Sequence, residues 1–189
     1  MRKSGASERQ IVVVDYDPAW PQLFDQLRAR VWPVVQQAAL SIEHVGSTSV
    51  PGLAAKPIID LSIVVGDRAA VAPLIRSLAE LQYVHRGELG VEDRDAFDSP
   101  RHLASHHLYL CLEGGLGLEN QLAVRDYLRA HPDRAREYGD LKKLLAQQFP
   151  HDIDSYVEGK TDFIVSILQA AGVPHDRIAR IERANRRER

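Results

Sequence analysis

The stretch that decides the fold reads Ser41-Ile42-Glu43-His44-Val45, then Gly46-Ser47-Thr48-Ser49-Val50-Pro51-Gly52-Leu53-Ala54-Ala55-Lys56-Pro57, then Ile58-Ile59-Asp60-Leu61-Ser62-Ile63-Val64-Val65. Two runs carrying apolar, β-branched residues flank a segment of small, polar and proline residues, so the pattern predicts strand, loop, strand. The second run is the strongest strand signal in the chain, and Gly66 and Asp67 end it. A glycine at the end of the first strand lets backbone amides approach an anion closely, and the hydroxyls of Ser47 and Thr48 add donors. Lys56 supplies a compensating charge. Asp60 lies inside an apolar strand, where a carboxylate is expensive unless it is paired, hydrogen-bonded or bound to a metal. The loop has neither the Gly-Lys-Ser/Thr step of a P-loop nor the three-glycine spacing of a dinucleotide fingerprint. On its residues alone it reads equally as an anion loop with an acidic site residue, or as a plain turn before a core strand.

Outward from this centre, strands alternate with helices. Residues 11–14 are β-branched and read as a short strand. Asp17 and Pro18 form a helix start, and Trp20, Phe24, Leu27 and Val31 follow at helical spacing until Pro33, which should kink or end the helix. On the other side, residues 69–81 read as a helix, 83–86 as a strand and 106–112 as another strand. Between them, residues 88–102 are charged and irregular, as expected of a loop able to move over a site. From Leu118 the pattern is helical, with breaks at Pro132, Pro150 and 172–174. The expected plan is a flexible N-terminus over 1–10, a single domain over 11–174, and a basic terminal helix or tail over 175–189. The fold class is α/β (α+β), a sheet flanked by helices with a helical C-terminal third.

Composition narrows the functional classes. A chain of 189 residues that is 44% hydrophobic can bury a core without staples. Its single cysteine, Cys111, excludes an internal disulfide or a cysteine-based zinc site, and its place in an apolar strand reads as buried. A net charge of -2 and an aromatic content of 6% argue against a nucleic-acid partner. Neither a signal peptide nor a membrane-spanning run is legible, so a cytoplasmic protein with no membrane partner is expected.

The histidines and basic residues give the remaining candidates. Side chains alternate along a strand, so His106 and His107 face opposite ways. His106 shares its face with Leu108, Leu110 and Leu112, which marks the core. His107 shares the other face with Tyr109 and Cys111 and is the site candidate. His44 precedes the Gly-Ser step by two residues. Asp60, His44 and His107 form a possible metal set, since carboxylate and imidazole both serve as ligands, or an acid–base pair. Arg125 and Arg129 share a helix face that could grip phosphates or be solvated. Lys142 lies on a later helix, and Lys160 edges a stripe of Phe163, Ile164 and Ile167.

The run GSTSVPGLAAKPIID over 46–60 resembles the signature of the GrpB-like family, which is placed in the nucleotidyltransferase superfamily. DYDPAW, HHLYL and RDYLRAHPDRAREYGDLKKLL, followed by Tyr156, Lys160 and Phe163, are similar to the same family, so the resemblance runs from about residue 11 to about 171. It implies a nucleotidyltransferase-like mixed sheet. It implies that Gly46 and Ser47 hold phosphate and that Asp60 is the first acid, and it favours Lys160; with the residue reading this gives a phosphate site of Gly46, Ser47, Thr48, Lys56, Arg125 and Lys160, and catalytic Asp60 and His107. A divalent metal, Mg or Mn with Zn as the alternative, would sit on Asp60, His44 and His107. The superfamily's second acid falls at Ser62, and histidines stand where a third carboxylate is expected, so two-metal chemistry departs from the pattern here. The implied function is binding of a nucleotide or other phosphate-bearing small molecule, with nucleotidyl or phosphoryl transfer to a small acceptor. The alternative is a non-catalytic module for a nucleotide or a coenzyme A-type ligand, since GrpB-like domains also occur fused to dephospho-coenzyme A kinase.

Overall fold

In the computed structural model, residues 10–186 are described. The chain lays down α1 (Trp20–Val35), β1 (Ser41–Val45), a 3-10 turn (Ser47–Ser49), β2 (Ile59–Val65), a second 3-10 turn (Arg68–Ala70) and α2 (Val71–Glu80). It continues through β3 (Val84–Gly87), β4 (Arg94–Asp98) and β5 (His106–Leu112), and closes with α3 (Leu116–Ala130), α4 (Pro132–Gln148), α5 (Ile153–Ala170) and α6 (His175–Arg186). The five strands form one mixed sheet in the order β1-β2-β5-β4-β3, with the β2–β5 pair parallel and the others antiparallel.

Register assigns each face. Asp60 pairs with Val45 on β1 and His107 on β5, and Ser62 with Glu43 and Tyr109, so these side chains share one face. The other face carries Ile42, His44, Leu61, Ile63, Leu108 and Leu110. It packs against α1 and α2 through Leu27, Val31, Leu74 and Leu78, and this is the main core. Burying such side chains stabilises by about 1.5–3 kcal/mol each. On the site face, Leu118 of α3 closes over Val64 and Cys111, while α4 and α5 pack beyond it around Leu53, Leu128 and Tyr138. Cys111 is fully buried, and burial pushes its thiol up to about 12, so it is no nucleophile.

Several expectations are corrected. Residues 11–14 do not form a strand: Val14 and Ala55 exchange two backbone hydrogen bonds of 2.9 Å as an isolated bridge, and Ile11 N donates to Pro150 O at 2.8 Å. The extended segment ties the loop before β2 to the α4–α5 connection, with no ladder to join. Residues 88–102 are not all loop. They contain β4, in which Arg94 through Phe97 pair with β5 and Ala96 and Phe97 are buried. Asp17 accepts from Ala19 N at 2.8 Å in the turn ahead of α1 but is not its N-cap, which is Ala19; the helix starts at Trp20 and passes Pro33 to end at Val35. Pro33 cannot donate to Ala29 O, and only two more helical residues follow it. The basic terminal segment is a packed helix as far as 186: Ile178 and Ile181 are buried against Leu168 and Leu116. The expected flexibility of 1–10 lies, for residues 1–9, outside the described residues. No helix among the described residues is long and apolar enough to cross a membrane.

Candidate functional site

The site begins at Gly46. Its φ of 69° and ψ of -176° belong to a region open to glycine almost alone. A Cβ there would also collide with Asp60 Oδ2 and lie 2.8 Å from Asp60 Cγ. Both requirements come from one event: β1 ends and the chain turns sharply across the neighbouring β2 carboxylate. The turn is then pinned from inside and outside. Ser49 Oγ donates to Gly46 O at 2.6 Å. Arg129 on α3 donates twice to Ser49 O, at 3.0 and 2.8 Å. Arg125, one helical turn earlier, donates to Glu43 at 2.8 Å and to His44 O at 3.2 Å, and also pairs with Asp126. Its charge is therefore already countered by carboxylates.

Asp60 accepts from His107 Nδ1 at 2.8 Å through Oδ1. Since a carboxylate only accepts, Nδ1 carries a proton, and the tautomer this selects has Nε2 as its acceptor. The structure thus brings Asp60 and His107 together beside Gly46. It does not bring His44 to them. His44 projects from the opposite face of the sheet, stacks on Phe24 with ring centroids 4.6 Å apart, and donates from Nε2 to Thr48 Oγ1 at 3.1 Å. Burial pushes its pKa down to about 4, so it is neutral. Thr48 is turned inward as well: its hydroxyl donates to Ile58 O and is buried. His106 is a core histidine. Its Nδ1 donates to Ala104 O at 2.7 Å, and Nε2 accepts from Tyr83 at 2.8 Å.

Three lysines converge on the same place from different elements. Lys142 on α4 is 2% exposed and donates to Ser47 Oγ at 2.7 Å, with Nζ 4.6 Å above the Tyr138 ring. Lys56, from the loop before β2, and Lys160, on α5, lie over the Tyr156 ring with Nζ 5.7 and 4.5 Å from its centroid. Gly159 permits this, because a Cβ there would meet Leu145 Cδ2 of α4 at 2.5 Å. Burial, then repulsion from Lys56, brings Lys160 down to about 8, with Asp60 opposing. Burial, with repulsion from Lys160 and Lys56, holds Lys142 well below the ordinary range, again against Asp60. Burial also lowers Lys56. None of the three forms a salt bridge among the described residues. Asp60 is the one carboxylate whose attraction they share.

Gly46, Ser47 and Lys160 line a cavity of about 220 Å³, whose wall includes Val50, Val124, Leu128 and Ile164. Asn120 and Gln121 of α3 add carboxamides. Gln121 Oε1 accepts from Ser62 Oγ at 2.7 Å, while Asn120 Oδ1 is buried without a partner. The cavity thus joins a polar, cationic end to an apolar body.

The donor set does not fit the metal expected from sequence. Asp60 has one oxygen on His107 and the other against Gly46. Ser62, at the second-acid position, is fully buried with its hydroxyl spent on Gln121. No group of three or more His, Cys, Asp or Glu side chains converges among the described residues. Hard divalent cations need several oxygen ligands, and here the neighbouring groups are ammoniums. Lys142 escaped sequence reading as a site residue. In Asp140-Leu141-Lys142-Lys143 it is indistinguishable from Lys143, which is half-buried and paired with Asp15.

The sequence profile of the family described as GrpB protein matches residues 10–170. The chain is 38% identical over 157 residues to UPF0157 protein YqkA of Bacillus subtilis (strain 168), covering 83% of this chain and 46% of that protein. It therefore spans less than half of that relative's length. The crystal structure of conserved protein GrpB from Enterococcus faecalis matches with a TM-score of 0.77 at 36% identity, covering 85% of this chain and 96% of that one. The structure of the GLD-2/RNP-8 complex matches with a TM-score of 0.50 at 12% identity, covering 82% and 61%. That last likeness is one of fold alone, and the fold is nucleotidyltransferase-like.

Proposed function

The chain belongs to the GrpB protein family, and from that premise we propose that it binds a nucleotide or another phosphate-bearing small molecule, with phosphate at Ser47, Lys56, Lys142 and Lys160 and the organic part in the adjoining cavity. The observation that carries this is Lys142. An ammonium 2% exposed, with a neutral hydroxyl and an aromatic ring as its partners, is costly to bury. Two more lysines beside it raise that cost. An anion at the same point removes it.

Group transfer is the extension of this reading. His107, oriented by Asp60, has Nε2 free to take a proton from an acceptor hydroxyl. The lysines would stabilise charge on the phosphoryl group under attack. Asp60 positions the imidazole, and the Gly46 turn holds Asp60 in place.

Calorimetric titration with ATP, CTP, GTP, UTP and coenzyme A, each with and without magnesium, tests the binding. At least one should bind, and Ser47→Ala should weaken it by roughly tenfold to hundredfold, as expected for one lost hydrogen bond to a charged group. Failure of every compound to bind would contradict the proposal. Transfer is read separately, as pyrophosphate released from the bound triphosphate in the presence of small hydroxyl acceptors and lost in His107→Ala. Binding without release would leave a ligand-binding module.

A further inference from the structure

We infer that this site takes its positive charge from Lys56, Lys142 and Lys160 in place of a divalent cation, and that its ligand is a phosphomonoester bound as the free dianion. The inference rests on the proposed phosphate site and narrows its ligand.

The first argument is charge. Fully protonated, the three lysines and Asp60 sum to a net of two positive charges. The other cations at the site are balanced: Arg125 and Arg129 together lie beside the two carboxylates Glu43 and Asp126. A terminal phosphate carries about two negative charges near neutral pH, whereas a diester carries one. A diester would leave one buried ammonium uncompensated. A phosphate already chelated to magnesium would be neutralised before it reached the lysines, and its cation would be repelled by them.

The second argument is donor chemistry. Each ammonium offers up to three donors and no acceptor, which suits phosphate oxygens. Ser47 Oγ accepts from Lys142, so its own hydrogen remains to donate. For a cation, by contrast, the site offers a single carboxylate, Asp60, which already holds His107, and a Ser62 hydroxyl buried against Gln121. The serine at the second-acid position and the buried lysine on α4 fit one design. Positive charge that a metal would bring is built into the chain.

The test uses inorganic phosphate as the probe and dimethyl phosphate as the monoanionic control, at roughly pH 7.5 and matched ionic strength. Binding is followed by thermal melting and phosphorus NMR, in EDTA and in excess magnesium. Phosphate should bind equally, to within about twofold, with EDTA or magnesium, and dimethyl phosphate about tenfold or more weakly. Lys142→Met should lose phosphate binding, which locates the site. Asp60→Asn should retain it, since that change removes the one competing negative charge. Phosphate binding that needs magnesium, equal binding of the diester, or an unaffected Lys142→Met would overturn the inference. If a triphosphate binds only with magnesium while phosphate does not bind, the inference fails and the proposed function stands. If no phosphate compound binds under any condition, both fail.

Discussion

At the scale of single residues, Gly46 and Asp60 are a matched pair. The backbone at Gly46 is one that other residues rarely adopt, and a methyl group there would occupy the space of the Asp60 carboxylate. Gly46→Ala should therefore cost about 1–3 kcal/mol of backbone strain alone and push Asp60 off His107. Chemical denaturation should show the loss, and an unchanged midpoint would mean that the turn relaxes freely. The Gly-Ser step, Asp60 and His107 were legible in the sequence because two simple signals mark them: a glycine after a strand, and alternation along β5. His44 and Thr48 were drawn into the candidate site by nearness in sequence. Strand pairing shows why nearness misleads, for His44 pairs with Leu61, one residue past Asp60, and so faces the opposite side. Lys142 was legible only as a helical lysine. Its burial depends on where α4 lies against the 47–49 turn, which no local pattern encodes.

At the scale of elements, α3 acts as a clamp. Arg129 grips the carbonyl at the end of the 3-10 turn and Arg125 grips the end of β1, so one helix fixes the loop that carries Ser47. Arginine suits this because its fork meets one carbonyl with two N–H groups. Arg129→Ala should cost about 1–2 kcal/mol of stability and weaken phosphate-compound binding several-fold by loosening the turn. Equal affinity in the variant would show that the turn holds its shape unaided. Element identity was largely readable from periodicity, with the exceptions at 11–14 and 94–98. The first has strand-like residues but meets only Ala55, and the second has a strand's pairing under a charged composition. In both, pairing partners decide the outcome over intrinsic preference.

At the scale of the whole molecule, the buried lysines trade stability for binding. Lys160 titrates at about 8 in the fold against an ordinary 10.5. Its folded pKa is the lower one, so between roughly pH 8 and 10.5 the unfolded chain binds more protons. The contribution of this group to stability then rises with pH through that window, and its full penalty stands below it. A shift from 10.5 to about 8 corresponds to at most about 3 kcal/mol, and partial access of the side chain to the cavity reduces it to about 1–2 kcal/mol. Phosphate affinity runs the other way, falling as the ammonium is lost above about pH 8. Sheet, helical cover and N-terminal bridge together hold this arrangement: α4, α5 and the loop before β2 each contribute one lysine, so the site exists only in the assembled fold.

The most direct test is the unfolding free energy of the wild-type chain and of Lys160→Met, with and without inorganic phosphate, from about pH 7 to pH 10. Without phosphate, the account predicts a variant more stable than wild type near pH 7, by about 1–2 kcal/mol, with the gap closing toward pH 10. Phosphate should stabilise wild type alone, and less so above about pH 8. A variant less stable at every pH, with phosphate stabilising both chains alike, would contradict it.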